Sequence, residues 1–132
     1  MADIRRQPGG APIDLIYFGG GTPSLLTPQE VGTIVTAVRD AFALGADAEI
    51  TLEANPESVT PESTEGYLAA GINRVSLGVQ SFRDDELMRL GRLHSSARAV
   101  AAVRELRTAG LANISLDLML WLPEQTREHL AE

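Results

Sequence analysis

Two kinds of hydrophobic pattern alternate along the chain. In Ile13 to Phe18, Glu49 to Ala54, Arg74 to Val79 and Asn113 to Leu120, apolar residues occupy every second position or run together briefly, which predicts strands. In Pro28 to Leu44, Pro61 to Ala70 and Asp84 to Ala109 they recur every three or four positions, which predicts helices. The order is β-α-β-α-β-α-β. Helix signals support it: Thr27 is placed to cap, Pro28 suits the first helical position, Glu30 completes a capping box, and Val31, Ile34, Val35, Val38 and Phe42 share a face. Thr60 before Pro61 repeats the cap, and Gly71 and Gly110 sit where a left-handed residue would close a helix. Right-handed crossovers and a parallel sheet follow.

The strands are not apolar on both faces, as those of an open sheet covered by helices on both sides would be. Glu49, Thr51 and Glu53 alternate with Ile50, Leu52 and Ala54. Ser76, Gly78 and Gln80 alternate with Val75, Leu77 and Val79, and Ser115, Asp117 and Met119 with Ile114, Leu116, Leu118 and Leu120. In a parallel β/α barrel the greasy face meets the helices and the other lines the interior, normally filled by bulky branched residues. Here that interior is too small and polar to fill itself, which favours a lumen holding a polar ligand. The expected fold is α/β: parallel β/α units forming about four strands of an incomplete barrel. A sheet with one wet face is the plainer alternative.

Length and composition narrow the picture. At 132 residues and 44% hydrophobic, the chain supports one compact domain over 1–132, with residues 1–12 expected to be disordered. A net charge of -7 and an isoelectric point near 4.8 argue against nucleic acid, which demands clustered cations. No apolar run approaches the ~20 residues of a membrane span, and the first ten residues lack the apolar stretch of a signal peptide, so a cytoplasmic protein is expected. Cysteine is absent, so neither disulfides nor thiolate-held clusters can be built from this chain alone.

The segment Gly19, Gly20, Gly21, Thr22, Pro23, Ser24 follows the first strand directly, where such folds place ligand loops. It is not a P-loop, because no Gly-Lys-Ser/Thr follows, and Ser24 replaces the third glycine of the dinucleotide fingerprint. A tight turn is the bland reading. Glu53, Gln80 and Asp117 fall at or near the carboxyl ends of the next three strands, opposite the aliphatics, so a parallel barrel would aim them at the glycine loop's mouth. Two carboxylates on one inner face call for a cationic or hydroxyl-rich ligand, or an internal partner such as Arg92; Arg92 is otherwise a solvated helix-end cation. His94 and His129 are too isolated for a metal site and are expected at the surface. Asp84, Asp85 and Glu86 read as a helix start, and Trp121 as packing at a strand end.

Five strings in order carry a resemblance: YFGGGTPSLL (Tyr17 to Leu26), LEANPE (Leu52 to Glu57), GINRVSLGVQSF (Gly71 to Phe82), LGRLH (Leu90 to His94) and NISLDLMLWLPEQT (Asn113 to Thr126). They resemble successive motifs of the radical SAM family that contains oxygen-independent coproporphyrinogen III oxidase and a heme chaperone (HemW-like) branch. The resemblance implies a radical SAM barrel and S-adenosylmethionine as cofactor. Gly20, Gly21 and Thr22 match the family loop at the methionine end of that molecule, and Glu53, Gln80, Arg92 and Asp117 match its further contacts. It also implies heme or a porphyrin as ligand, and heme-accepting apoproteins as partners. The GVQSF string with Ser81, the EANP string and LGRLH are closer to the chaperone branch than to the oxidase. The sequence departs from the family at Leu120, Trp121 and Glu124, where a YGLPGQT-like string is expected.

The largest departure is the CxxxCxxC loop, whose thiolates hold the family's [4Fe-4S] cluster. It belongs before Ile13 and is missing, so the chain is expected to be a fragment that binds the cofactor but is inactive alone, with no catalytic or metal-ligating residue of its own. A phosphate-binding barrel lyase or isomerase would share the glycine loop and strand-end carboxylates. It would also call for lysine at the mouth, whereas all 11 basic residues here are arginine.

Overall fold

A computed structural model describes residues 12–129, so the expected disordered segment, Pro12 excepted, lies outside the described residues. The elements are β1 (Ile13–Phe18), α1 (Pro28–Ala41), β2 (Leu44–Ala54), α2 (Pro61–Ala69), β3 (Arg74–Gln80), α3 (Asp84–Arg89), α4 (Ser96–Thr108) and β4 (Asn113–Leu118), with single 3-10 turns at Pro23–Leu25 and Pro56–Ser58. The four strands form one sheet in the order β1-β2-β3-β4, every pair parallel. This is the α/β architecture expected from the alternation.

The helix starts follow their caps. The Glu30 amide donates to Thr27 Oγ1 and the Thr27 amide donates to Glu30 Oε2, closing the capping box of α1. Thr60 and Ser63 make the same reciprocal pair at α2. Gly71 and Gly110, at φ +102° and +97°, take the left-handed conformation just beyond α2 and α4.

Helices cover one face of the sheet. Val31 and Val35 of α1, Ile50 and Leu52 of β2, Val75, Leu77 and Val79 of β3, and Ala99, Ala102 and Leu106 of α4 form a single buried cluster. The other face carries a polar ladder: Arg74 donates to Thr51 Oγ1 (3.3 Å) and Ser115 Oγ (2.9 Å), Ser76 and Ser115 share a hydrogen bond of 3.0 Å, and Ser76 Oγ donates to both Asp117 oxygens (2.9 and 3.1 Å).

Several expectations change. The helix expected over Asp84 to Ala109 is two helices. Gly91 turns at φ +66°, Ser95 accepts from the Arg98 amide to cap α4, and Asp84 Oδ1 accepts from the Ser96 amide, clamping the two starts together. α4 buries Ala99, Ala102 and Leu106 and α3 buries Leu87, and helical spacing across both hides the break. α1 ends at Ala41 and β2 begins at Leu44, because the backbone extends there to pair Leu44 with Ile13 before a register irregularity. Ile34 is exposed at the margin of the buried stripe, and Trp121 is 87% exposed rather than packed. β4 stops at Leu118 rather than Leu120.

Candidate functional site

The loop after β1 is tied to the end of β2 through Glu53. The Gly20 amide donates to Glu53 Oε2 at 3.0 Å and the Tyr17 hydroxyl to Oε1 at 2.7 Å. Glycine is required for this crossing. A Cβ on Gly19 would lie 2.6 Å from the Tyr17 ring, and Gly20 and Gly21 have φ of +88° and +64°. Behind the loop, Ser58 Oγ donates to Ser24 Oγ, and the buried Tyr67 hydroxyl contacts the Ser24 and Leu26 carbonyls. The hydrogen bond that Tyr17 donates to Glu53 favours the protonated phenol and raises its pKa above 10.0.

At the end of β3 the chain makes a sharp turn. Gln80 has φ +70°, unusual for a residue with a side chain, and the Ser81 amide donates back to the Val79 carbonyl at 2.9 Å, an i to i+2 closure of the γ-turn kind. Such a conformation costs about 1–3 kcal/mol and persists only where its surroundings hold it. The Met119 amide donates to the Gln80 carbonyl at 2.8 Å, bridging a register shift between β3 and β4. Gly78 leaves the room this needs: a Cβ there would lie 3.0 Å from Gln80 Nε2 and 3.2 Å from Asn55 Oδ1.

Arg92 reaches the mouth from beyond α3. Its Nη2 donates to Asn55 Oδ1 (2.6 Å) and the Gly78 carbonyl (3.1 Å), while its buried Nε has no hydrogen-bond partner. It therefore pairs with neither strand-end carboxylate, Glu53 or Asp117; Arg74 pairs with Glu49, further back on β2, at 3.7 Å. Gly21, Thr22, Glu53, Gln80, Arg92 and Asp117 all line one cavity of about 220 Å³ at the carboxyl ends of the strands, and Gly20 is bonded to its Glu53 wall. The structure thus brings all seven residues singled out in the sequence to one place.

His94 is a correction. It is buried rather than at the surface, with Nδ1 3.1 Å from Glu57 Oε2 and Nε2 3.0 Å from the Val79 carbonyl, because the turn at Gly91 folds the LGRLH segment back under β3. His129 is half-buried, its Nδ1 3.9 Å from Glu86 Oε1. Among the described residues no three His, Cys, Asp or Glu side chains cluster closely enough to hold a metal ion.

Sequence reasoning passed over Tyr17, Asn55 and Ser76. Tyr17 shares the parity of Ile13 and Leu15 on β1 and immediately precedes the glycines. Asn55 lies two residues after Glu53, and Ser76 pairs in register with both Glu53 and Ser115. Parity was the available signal for Tyr17 and Ser76; nothing local announces that Asn55 meets Arg92.

A model of the Radical SAM superfamily matches residues 2–132, and the chain belongs to that superfamily. Membership sets aside the phosphate-binding lyase or isomerase and makes the four parallel strands a section of a radical SAM barrel. The heme chaperone HemW of Haemophilus influenzae is 46% identical over 113 residues, 86% of this chain and 30% of that protein. Bovine mitochondrial radical S-adenosyl methionine domain-containing protein 1 is 44% identical over 122 residues, 92% of this chain and 28% of that protein. The solved structure of Escherichia coli coproporphyrinogen III oxidase, HemN, described as a radical SAM enzyme, superposes with a TM-score of 0.79 at 30% identity, covering 89% of this chain and 27% of that one. The chain spans under a third of the length of each of these relatives.

Proposed function

We propose that this mouth binds S-adenosylmethionine, and that the chain serves within a heme chaperone-like radical SAM protein of the cytoplasm that binds heme and passes it to apoproteins. The observation that carries the first part is the convergence of two carboxylates, an amide, a guanidinium and a glycine loop on one cavity. The donor set suits the molecule. S-adenosylmethionine offers an ammonium, a sulfonium, a carboxylate and a ribose diol. Glu53 and Asp117 accept from ammonium or hydroxyl groups, the unpartnered Nε of Arg92 suits a carboxylate, and Gln80 serves as donor or acceptor. Gly20 and Gly21 let backbone approach the ligand where a Cβ would meet no neighbour but the positive φ angles would strain a side-chain-bearing residue.

When reduced by an iron-sulfur cluster, S-adenosylmethionine supplies a carbon radical. This chain has no cysteine, so none of its residues fits the thiolate role, and its own contribution is to bind and orient. Equilibrium dialysis with S-adenosylmethionine tests the reading. Glu53→Gln and Asp117→Asn are expected to weaken binding about tenfold or more, since each removes a charge-assisted bond. Binding that is absent in the wild type, or unchanged in both variants, would reject it.

Oxidase activity is the second reading, favoured by the superposition on HemN. Two assays on the cluster-loaded radical SAM protein within which this chain would serve separate them: a heme absorbance titration, expected to saturate for a chaperone, and release of carbon dioxide from coproporphyrinogen III, expected only for an oxidase.

A further inference from the structure

We infer that Glu86 is a positioning residue for the S-adenosylmethionine site: its buried carboxylate holds the turn at Gln80 in the strained form that presents the Gln80 amide to the mouth. This rests on the site reading above. Glu86 lies on α3, does not line the mouth, and is only 1% exposed, an expensive place for a carboxylate. Its Oε2 accepts from Ser81 Oγ at 2.5 Å and from Gln125 Nε2 at 3.1 Å, while Oε1 has no hydrogen-bond partner. Oε1 lies 3.9 Å from His129 Nδ1, beyond hydrogen-bond distance, so the buried carboxylate is only partly compensated.

What the carboxylate does hold is Ser81. That residue directly follows Gln80, its amide closes the turn onto Val79, and its hydroxyl both donates to Glu86 and accepts from the Arg83 amide at 3.0 Å. Gln125, from beyond β4, completes the clamp on one side, and the Met119 amide holds the Gln80 carbonyl on the other. Without Glu86 the Ser81 hydroxyl loses its acceptor, and the turn is free to relax toward negative φ, carrying the Gln80 amide out of the mouth.

The test combines S-adenosylmethionine binding by equilibrium dialysis, amide hydrogen exchange at Ser81, and thermal melting, all on the full chain. Glu86→Leu is expected to exchange the Ser81 amide about tenfold faster and to bind about five- to tenfold more weakly, the loss of one neutral hydrogen bond, with a single melting transition showing that it still folds. Glu86→Gln retains an acceptor for Ser81 and is expected within about twofold of wild type in binding. Should Glu86→Leu fail to fold, Ser81→Ala removes the same link and carries the same expectations for Ser81 exchange and for binding. Gln80→Ala separates the two readings: if it weakens binding and Glu86→Leu does not, the positioning role alone falls. If Gln80→Ala binds as wild type, the site reading fails at Gln80, and Ser81 exchange still decides whether Glu86 holds the turn. Wild-type Ser81 exchange in Glu86→Leu overturns the inference, as does faster exchange spread over all of β3, the mark of a general structural role.

Discussion

Strands β3 and β4 lie side by side with nearly the same sequence, Val75-Ser76-Leu77 against Ile114-Ser115-Leu116 in register, yet they differ sharply in burial. All three β3 residues are buried; Leu77 is fully enclosed, whereas Leu116 is 39% exposed. Both strands point aliphatics toward the helices and hydroxyls toward the polar face. β3, however, has a strand on each side and sits beneath α2 and α4, while β4 is bounded by β3 alone among the described residues. Alternation decides which face a side chain takes, and the neighbours decide how much water it loses. The energetic weight of a position therefore follows the second factor.

The sharpest break of that contrast is a matched pair of truncations. Leu77→Ala is expected to cost about 2–5 kcal/mol, the transfer loss plus an enclosed cavity, while Leu116→Ala costs about 1 kcal/mol because its site is open. Urea denaturation of both variants measures the difference, and equal costs would mean that β4 is as well covered as β3.

Next in size come two strained positions beyond β4. Trp121 and Glu124 have φ of +63° and +65°, and both stand where the YGLPGQT-like family string carries glycine. Trp121→Gly sacrifices almost no burial and is expected to stabilise by about 1 kcal/mol, seen as a higher melting temperature. Glu124→Gly gains less, because it also loses the 2.8 Å ion pair with Arg89. At Gln80 the same kind of strain lies inside the site, so its relief is expected to cost binding instead.

On the helical layer, Arg98 of α4 donates to the Pro56 and Val59 carbonyls and forms a two-point bridge to Glu105 at 2.8 and 2.6 Å. The hydrogen bonds from Arg98 hold the Glu105 carboxyl below its ordinary 4.5. A lowered carboxylate pKa contributes stability that is present above pH 4.5 and lost as pH falls through the folded value. Glu105→Gln is thus expected to lose under about 1 kcal/mol at neutral pH, with the gap to wild type closing in acid denaturation series.

The smallest effect belongs to the exposed strand β1. Tyr17 holds its phenolic proton more tightly when folded, so the contribution of its bond to Glu53 is present in full below pH 10.0 and lost as pH rises through the folded value. An absorbance titration of Tyr17 should therefore move back toward 10.0 in Glu53→Gln, and a Tyr17 titration unchanged by that substitution would place Glu53 elsewhere.

Much of the site was legible because its residues obey local rules. Glu53, Gln80 and Asp117 share a parity at strand ends, and the three glycines follow β1, so a parallel sheet had to bring them to one mouth. Arg92 was singled out as a partner for the two carboxylates and by the resemblance, but its partners in the structure are Asn55 and a backbone carbonyl. His94 was misplaced because a histidine after a helix is ordinarily solvated, whereas the helix start at Asp84 to Glu86 was read correctly and only the burial of Glu86 had no local signal.

By itself the sequence determined the order of elements, the helix caps, the two faces of each strand and membership of the radical SAM superfamily, since each is written in spacings of a few residues or in contiguous strings. Only the tertiary structure decided the break between α3 and α4, the positive φ of Gln80, and the partners of Arg92, His94 and Glu86. Arg92 meets Asn55 and His94 meets Glu57 across 37 residues each, and Glu86 meets Gln125 across 39. Contacts of that range are set by how packed strands and helices align in space, which no periodicity along the chain records.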